Sequence, residues 1–440
     1  MSANQLILRH APACRAGTFP GLPASRNFLW VLTGNTVFAT CQWGMIIALA
    51  KAGNTAMVGQ FSLGIAIATP ILMFSNFDLR AVQSTDADRE FCFADYLRLR
   101  LAMTLSALMI VGAIAFLGGY DRRAALVIAA VGLAKGIETL SDIHYGLFQL
   151  NGRLDQTGRS MILRGVSAVA AMTAVLIVSH NLLYGCVAMT AAWLSILCLF
   201  DVRQARALVA ATERARNSRP HLNWRRLWRL ARIALPMGVV TTIASLNLQM
   251  PRYFVHARLG DQALGVFSAL AYATVAMTLV GDSLGHCTIP RLSRLYADRR
   301  FVAFSSLLTK LFVIGVAIGA CGVAAAQLFG KRLLNVFYSP EYAAQSRVFL
   351  LLIIAAAIHF VASMLTSGLT SSRHFRIQVP LYLTVTGCTA LACARLVPEL
   401  GLAGGALGVM VGAIVRLILV ALVARYLWIT RGICRLGRAA

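Results

Sequence analysis

Apolar residues come in blocks of span length along nearly the whole chain, separated by short basic or turn-forming stretches. A helix rises about 1.5 Å per residue, so about 20 residues cross the hydrocarbon layer of a membrane. Blocks of that length fall near 28–50, 55–77, 101–118, 124–147, 161–180 and 184–202. A second set falls near 233–254, 262–284, 304–328, 348–370, 378–397 and 404–427. The pattern predicts an all-α polytopic membrane protein with about twelve transmembrane helices. Residues 1–25 hold only the brief apolar patch Leu6-Ile7-Leu8 among Pro12, Pro20 and Pro23, and do not read as a signal peptide. Ala48-Leu49-Ala50 imitates a cleavage site, but the block before it is too long for a signal core and another span follows directly.

Composition agrees with the pattern. Of 440 residues, 58% are hydrophobic and 13% charged, with a mean hydropathy of +0.72. A soluble domain carries about a quarter charged residues, so lipid is the solvent for much of this chain. Charge then orients it. Of the 41 Lys and Arg, 28 fall in the N-terminal segment, every second connection and the C-terminal segment. Nine fall on the opposite side, and four (Lys135, Arg164, Lys310 and Arg416) lie within spans. The positive-inside rule places both termini in the cytoplasm. Contact with anionic lipid headgroups accounts for the net charge of +25, and no nucleic-acid partner is needed. In the most basic connection, Trp224, Leu227, Trp228 and Ala231 share one helical face among arginines, which predicts a helix lying in the cytoplasmic interface. The ten cysteines are scattered and form no CxxC pair, so neither a disulfide nor a metal is implied.

A weak internal repeat divides the chain. Gly59-Gln60-Phe61-Ser62-Leu63 opens the second span, and Gly265-Val266-Phe267-Ser268-Ala269 opens the eighth. Tyr145-Gly146-Leu147 closes the fourth span, and Ser367-Gly368-Leu369 the tenth. The offset between the repeats grows along the chain, and the segment from Lys331 to Arg347, read as a short surface helix and turn, holds the extra residues. The organisation expected is a tail (1–27), a six-helix bundle (28–202), a basic connection (203–232), a second six-helix bundle (233–427) and a tail (428–440). Parallel halves of this kind suit alternating access, with substrate between them.

Chemistry is sparse. There is no Walker A sequence, HExxH or GxSxG, and no long extramembrane loop to house a catalytic domain, so no enzyme and no cofactor are expected. The notable feature is charge inside the fourth span, where Lys135, Glu138 and Asp142 stand at i, i+3 and i+7 on one face. Ionisable groups at membrane depth are costly and mark interiors or aqueous cavities. Two readings are open: a structural Lys135–Glu138 ion pair, or a role in substrate binding or ion coupling. Arg416 in the twelfth span and His359 in the tenth are open in the same way, satisfied by a neighbouring helix or by a ligand. Arg252 and His256 read equally as snorkelling side chains, and Asp282 and His286 are ambiguous.

The stretch Asp78-Leu79-Arg80-Ala81-Val82-Gln83-Ser84-Thr85-Asp86, with Phe93-Ala94-Asp95-Tyr96-Leu97-Arg98-Leu99-Arg100, resembles the first cytoplasmic loop of bacterial oligosaccharide flippases. Those proteins belong to the superfamily that also holds multidrug exporters and the lipid II flippase. Glu138-Thr139-Leu140-Ser141-Asp142 with Tyr145-Gly146, Gln149, Arg153, Asp155, Ser160 and Arg164 is similar to the same family. Tyr338-Ser339-Pro340-Glu341-Tyr342 and Gly401-Leu402-Ala403-Gly404-Gly405-Ala406 match more widely in the superfamily. The first two spans lack the mid-membrane arginines associated with the lipid II flippase. The first also lacks the acidic residue of many sodium-coupled drug exporters, with Asn35 and Gln42 instead. The resemblance implies movement of an undecaprenyl-diphosphate-linked oligosaccharide across the bacterial inner membrane, with a polysaccharide polymerase and glycosyltransferases as partners. A diphosphate needs cationic donors, and Arg80, Arg98, Arg100, Lys135 and Arg416 are the candidates. Glu138, Asp142, Asp282 and His359 are candidates for ion coupling or for holding those cations. A multidrug exporter of the same fold is the alternative, and a membrane enzyme of polysaccharide assembly a further one.

Overall fold

Short polar turns cap long apolar helices throughout the computed structural model. It describes residues 24–86, 90–216, 223–275, 288, 292–296, 298, 300–371 and 375–436. Helices α1 (Ala24–Ala52) and α2 (Thr55–Asn76) are joined by a turn in which the Asn54 side chain accepts from the Met57 N–H at 2.8 Å. Next come α3 (Leu79–Thr85), α4 (Phe93–Leu117), α5 (Arg122–Leu150) and α6 (Leu154–Ser179). Asp121 and Asn181 cap α5 and α7 (Leu182–Ile196) in the same way, satisfying orphan backbone donors. A π turn at Leu197–Asp201 leads into α8 (Val202–Arg216). The remaining elements are α9 (Trp224–Tyr272), α10 (Phe301–Phe337), α11 (Pro340–Ala343), α12 (Ser346–Ser371), α13 (Phe375–Leu400) and α14 (Leu402–Leu436).

Among the described residues, ten helical segments are long and apolar enough to cross a membrane. One of them, α9, is two helices meeting at Gly260, whose φ of 80° and ψ of −174° only glycine adopts readily. The apolar windows of α2 and α5 are 61% buried, against 28% for α4 and α6, so the first pair forms the interior and the second faces lipid. Helices α1, α2 and α4 to α7 pack among themselves, as do α9, α10 and α12 to α14, and the α2–α9 contact joins the two sets.

The repeated glycine motifs lie at that junction. A Cβ on Gly59 would stand 1.9 Å from the Asp261 carbonyl oxygen, and one on Gly265 would stand 1.8 Å from the Thr55 carbonyl oxygen. The two motifs therefore touch each other, backbone to backbone. Contacts between α1 and the second set lie at the same end of the molecule. The Trp43 indole donates to the Tyr338 hydroxyl at 2.8 Å, that hydroxyl donates to the Ala269 carbonyl at 3.1 Å, and Lys51 Nζ donates to the Val336 carbonyl at 2.8 Å. Burial pushes the Tyr338 phenol up to about 12, which keeps it a neutral donor.

Residues 79–85, in the connection that follows the second span, form α3, because Phe77 and Asp78, both at φ 48°, turn the chain back and bury Leu79 and Gln83. Two local expectations are corrected. Among the described residues, the expected interfacial helix is not separate from the seventh span. Trp224 opens the continuous helix α9, whose buried positions there are Leu227, Leu230 and Ala234, while Trp224 and Trp228 are exposed. Residues 331–337 continue α10, and Tyr338 and Tyr342 beyond them are buried, not on the surface.

Candidate functional site

Between the two sets of helices lies a cavity of about 410 Å³. Phe61 and Phe267, the central residues of the repeated motifs, both line it, as do Trp193 and the polar groups of Gln42, Asn247, Gln249 and Tyr272. Its charged lining residues are Lys135 and Arg252, and His359 also contributes; among the described residues no Asp or Glu lines it. Arg252 donates to the Gln249 side chain, and its Nε has no hydrogen-bond partner among the described residues. The cavity is thus apolar in area but cationic in charge.

Each candidate can now be placed. Lys135 Nζ lies 2.6 Å from Glu138 Oε2, and Arg164 Nη2 lies 3.6 Å from Glu138 Oε1, so one carboxylate is shared by two cations. Arg164 is itself buried, donates to the Tyr145 hydroxyl at 3.1 Å and lies over the Phe38 and Trp193 rings. Asp142, two turns toward the other end of α5, receives Arg80 at 3.2 Å and Arg100 at 3.1 Å. Arg100 has 0% exposure and also donates to Asn76, so its guanidinium is committed within the protein. Arg98 Nη1 is buried without a hydrogen-bond partner among the described residues. Arg416 approaches His359 Nε2 at 2.8 Å, Tyr382 at 3.3 Å and Thr366 at 3.4 Å, and no carboxylate contact is found for it among the described residues. Asp282 and His286 lie outside the described residues. The structure therefore brings Lys135, His359 and, through His359, Arg416 to one cavity, and gathers Arg80, Arg100 and Asp142 elsewhere.

Sequence reasoning gave no site role to Arg252, Arg164 or Asp201. Arg252 follows Pro251 in an apolar block and reads as snorkelling until its neighbours are known. The signal for Arg164 was present, since it is a charge at membrane depth. Asp201 falls at the end of an apolar block and reads as the start of a connection; burial alone reveals it. Among the described residues, no group of three or more His, Cys, Asp or Glu is placed to hold a metal ion.

No family model matches the chain. It is similar to the capsular polysaccharide biosynthesis protein CapF of Staphylococcus aureus, at 25% identity over 400 residues, covering 89% of this chain and 97% of that protein. Among solved structures it superposes on the lipid II flippase MurJ in an inward closed conformation, with a TM-score of 0.68, 10% identity and coverage of 90% and 87% of the two chains. It also superposes on an inward-facing multidrug resistance MATE family transporter, with a TM-score of 0.66, 15% identity and coverage of 94% and 96%. Its ten span-length apolar helical segments, among the described residues, agree with a membrane-embedded protein. The chain has the fold of the MATE- and MurJ-type transporters of the MOP superfamily.

Proposed function

We propose that this chain flips an undecaprenyl-diphosphate-linked oligosaccharide from the inner to the outer leaflet by alternating access. The observation that carries the reading is the charge of the central cavity: Lys135 and Arg252 line it, with no acidic residue among the described ones. Cations in a low-dielectric wall attract a diphosphate and repel an organic cation. Arg416 reinforces the field behind His359, while Glu138 holds Lys135 and Arg164 in place and Asp142 holds Arg80 and Arg100. Arg98 and Arg80 serve as first contacts at the cytoplasmic entrance. The likeness to a capsular polysaccharide biosynthesis protein supports the substrate class. The organisation proposed with it is two six-helix halves, 28–202 and 233–427, joined by 203–232, with both termini cytoplasmic. Anionic lipids surround it, and a polymerase and glycosyltransferases act before and after it.

The second reading, an ion-coupled multidrug exporter of the same fold, draws more direct support from the solved structures, since multidrug transporters recur among them. One experiment separates the two. Deleting the gene in a strain without paralogues abolishes the surface glycan, leaves lipid-linked oligosaccharide on the cytoplasmic leaflet and does not change drug susceptibility. Unchanged glycan with raised sensitivity to cationic drugs would reverse the order of the two readings.

A further inference from the structure

The inner end of the sixth span leaves α-helical geometry over Leu197–Asp201, and π turns of this kind are frequent at functional sites. The turn delivers Asp201 into the interior of the first set of helices, where it is 0% exposed. Ser141 of α5 and Ser160 of α6, both also 0% exposed, present their hydroxyls to it. Neither Asp201 oxygen completes a well-aligned hydrogen bond among the described residues, and the Ser141 hydroxyl completes none either. The charged and titratable groups acting on Asp201 are Arg164 and Tyr145, with Glu138 and Lys135 beyond them. Arg164 is already engaged by Glu138, by the Tyr145 hydroxyl and by two aromatic faces. A buried carboxylate without a side-chain counter-ion of its own is expensive, and oxygen donors converging on it suit a small hard cation.

We propose that Asp201, with the hydroxyls of Ser141 and Ser160, binds a monovalent cation, Na+ or a proton. The site is connected to the central cavity. Ser160 and the Tyr145 hydroxyl lie 2.8 Å apart, Tyr145 receives Arg164, Arg164 meets Glu138, and Glu138 holds Lys135 in the cavity wall. Arg164 stands between two carboxylates, Glu138 and Asp201. A cation on Asp201 turns the field of Arg164 toward Glu138, and Lys135 is then free to meet an anion in the cavity. Cation and substrate occupancy are therefore linked, each favouring the other. That coupling rests on the transporter reading above, whereas cation binding at Asp201 does not.

The test uses the purified full-length chain in detergent and reads its thermal unfolding midpoint without substrate. Na+ is exchanged for choline at constant ionic strength, and pH is varied separately in choline. A cation that binds the folded state raises the midpoint with its concentration. The expected result is a dependence on Na+ or on pH that is lost in Asp201→Asn. Loss of the dependence in the Ser141→Ala/Ser160→Ala double variant identifies Na+, which needs the hydroxyls; retention there identifies the proton, which needs only the carboxylate. Should Asp201→Asn fail to accumulate, Asp201→Glu keeps the carboxylate and is expected to retain the dependence. A wild type insensitive to both cations, or an Asp201→Asn variant (or Asp201→Glu in its place) that contradicts these expectations, overturns the proposal. Because no glycan enters this assay, its failure is distinct from a failure of the gene-deletion experiment.

Discussion

Lys135, Glu138 and Asp142 share a face of α5 yet belong to two different networks. Asp142 holds two arginines, one of them with 0% exposure. Asp142→Asn strands both, and breaking a buried pair by removing one partner costs about 3 kcal/mol or more. The expected outcome is a lower thermal midpoint and lower membrane abundance, with Arg80→Gln much milder because Arg80 is partly exposed. Glu138 is different, because its partner Lys135 lines the cavity. Glu138→Gln alone leaves Lys135 and Arg164 without their carboxylate, whereas Lys135→Met with Glu138→Gln removes one cation with the acid. At matched abundance, the double variant is expected to insert and to lose glycan export, because it lacks the cavity cation. Full export by the double variant would leave the pair with a structural role only.

At the scale of elements, the α2–α9 crossing sets how closely the two sets of helices approach. Gly59 and Gly265 lie less than a van der Waals contact from the opposing backbone once a Cβ is added. No side-chain rotation relieves a clash with a main-chain carbonyl, so either substitution by alanine must separate the helices at this end. Gly59→Ala and Gly265→Ala are each expected to lower export severalfold at near-normal abundance. A cysteine at Phe61 in those backgrounds is expected to react faster with an impermeant thiol reagent added from outside. Unchanged labelling would show that the crossing does not close the cavity at that end. The motif repeat was legible in sequence, as two similar pentapeptides, but not that each is the other's packing partner.

For the whole molecule, the distribution of Lys and Arg predicts orientation. A reporter that is active only in the cytoplasm, fused after Ala440, is expected to be active, and a periplasm-dependent one silent. The opposite pattern would invert every assignment of inner and outer ends, including the end at which Trp43, Tyr338 and Ala269 join the two sets of helices. Charge also separates the two functional readings at this scale, because a cavity lined by Lys135 and Arg252 is expected to disfavour organic cations as a class, which binding assays with cationic dyes would check.

Hydrophobic block length and capping residues determined most helix positions, because a membrane leaves the backbone no alternative to internal hydrogen bonds. Asn54, Asp121 and Asn181 mark helix starts as local chemistry dictates. Local chemistry also set the Lys135–Glu138 adjacency, since i and i+3 are neighbours on any helix. What the sequence did not decide is which helices meet. That Asp142 serves Arg80 and Arg100, that Arg416 stands behind His359, and that Arg252 faces a cavity and not a headgroup all depend on contacts between residues distant in the chain. Asp201 is the clearest case. Its sequence context is the end of an apolar block, and only the π turn together with the packing of α5 and α6 converts that position into the interior of the protein.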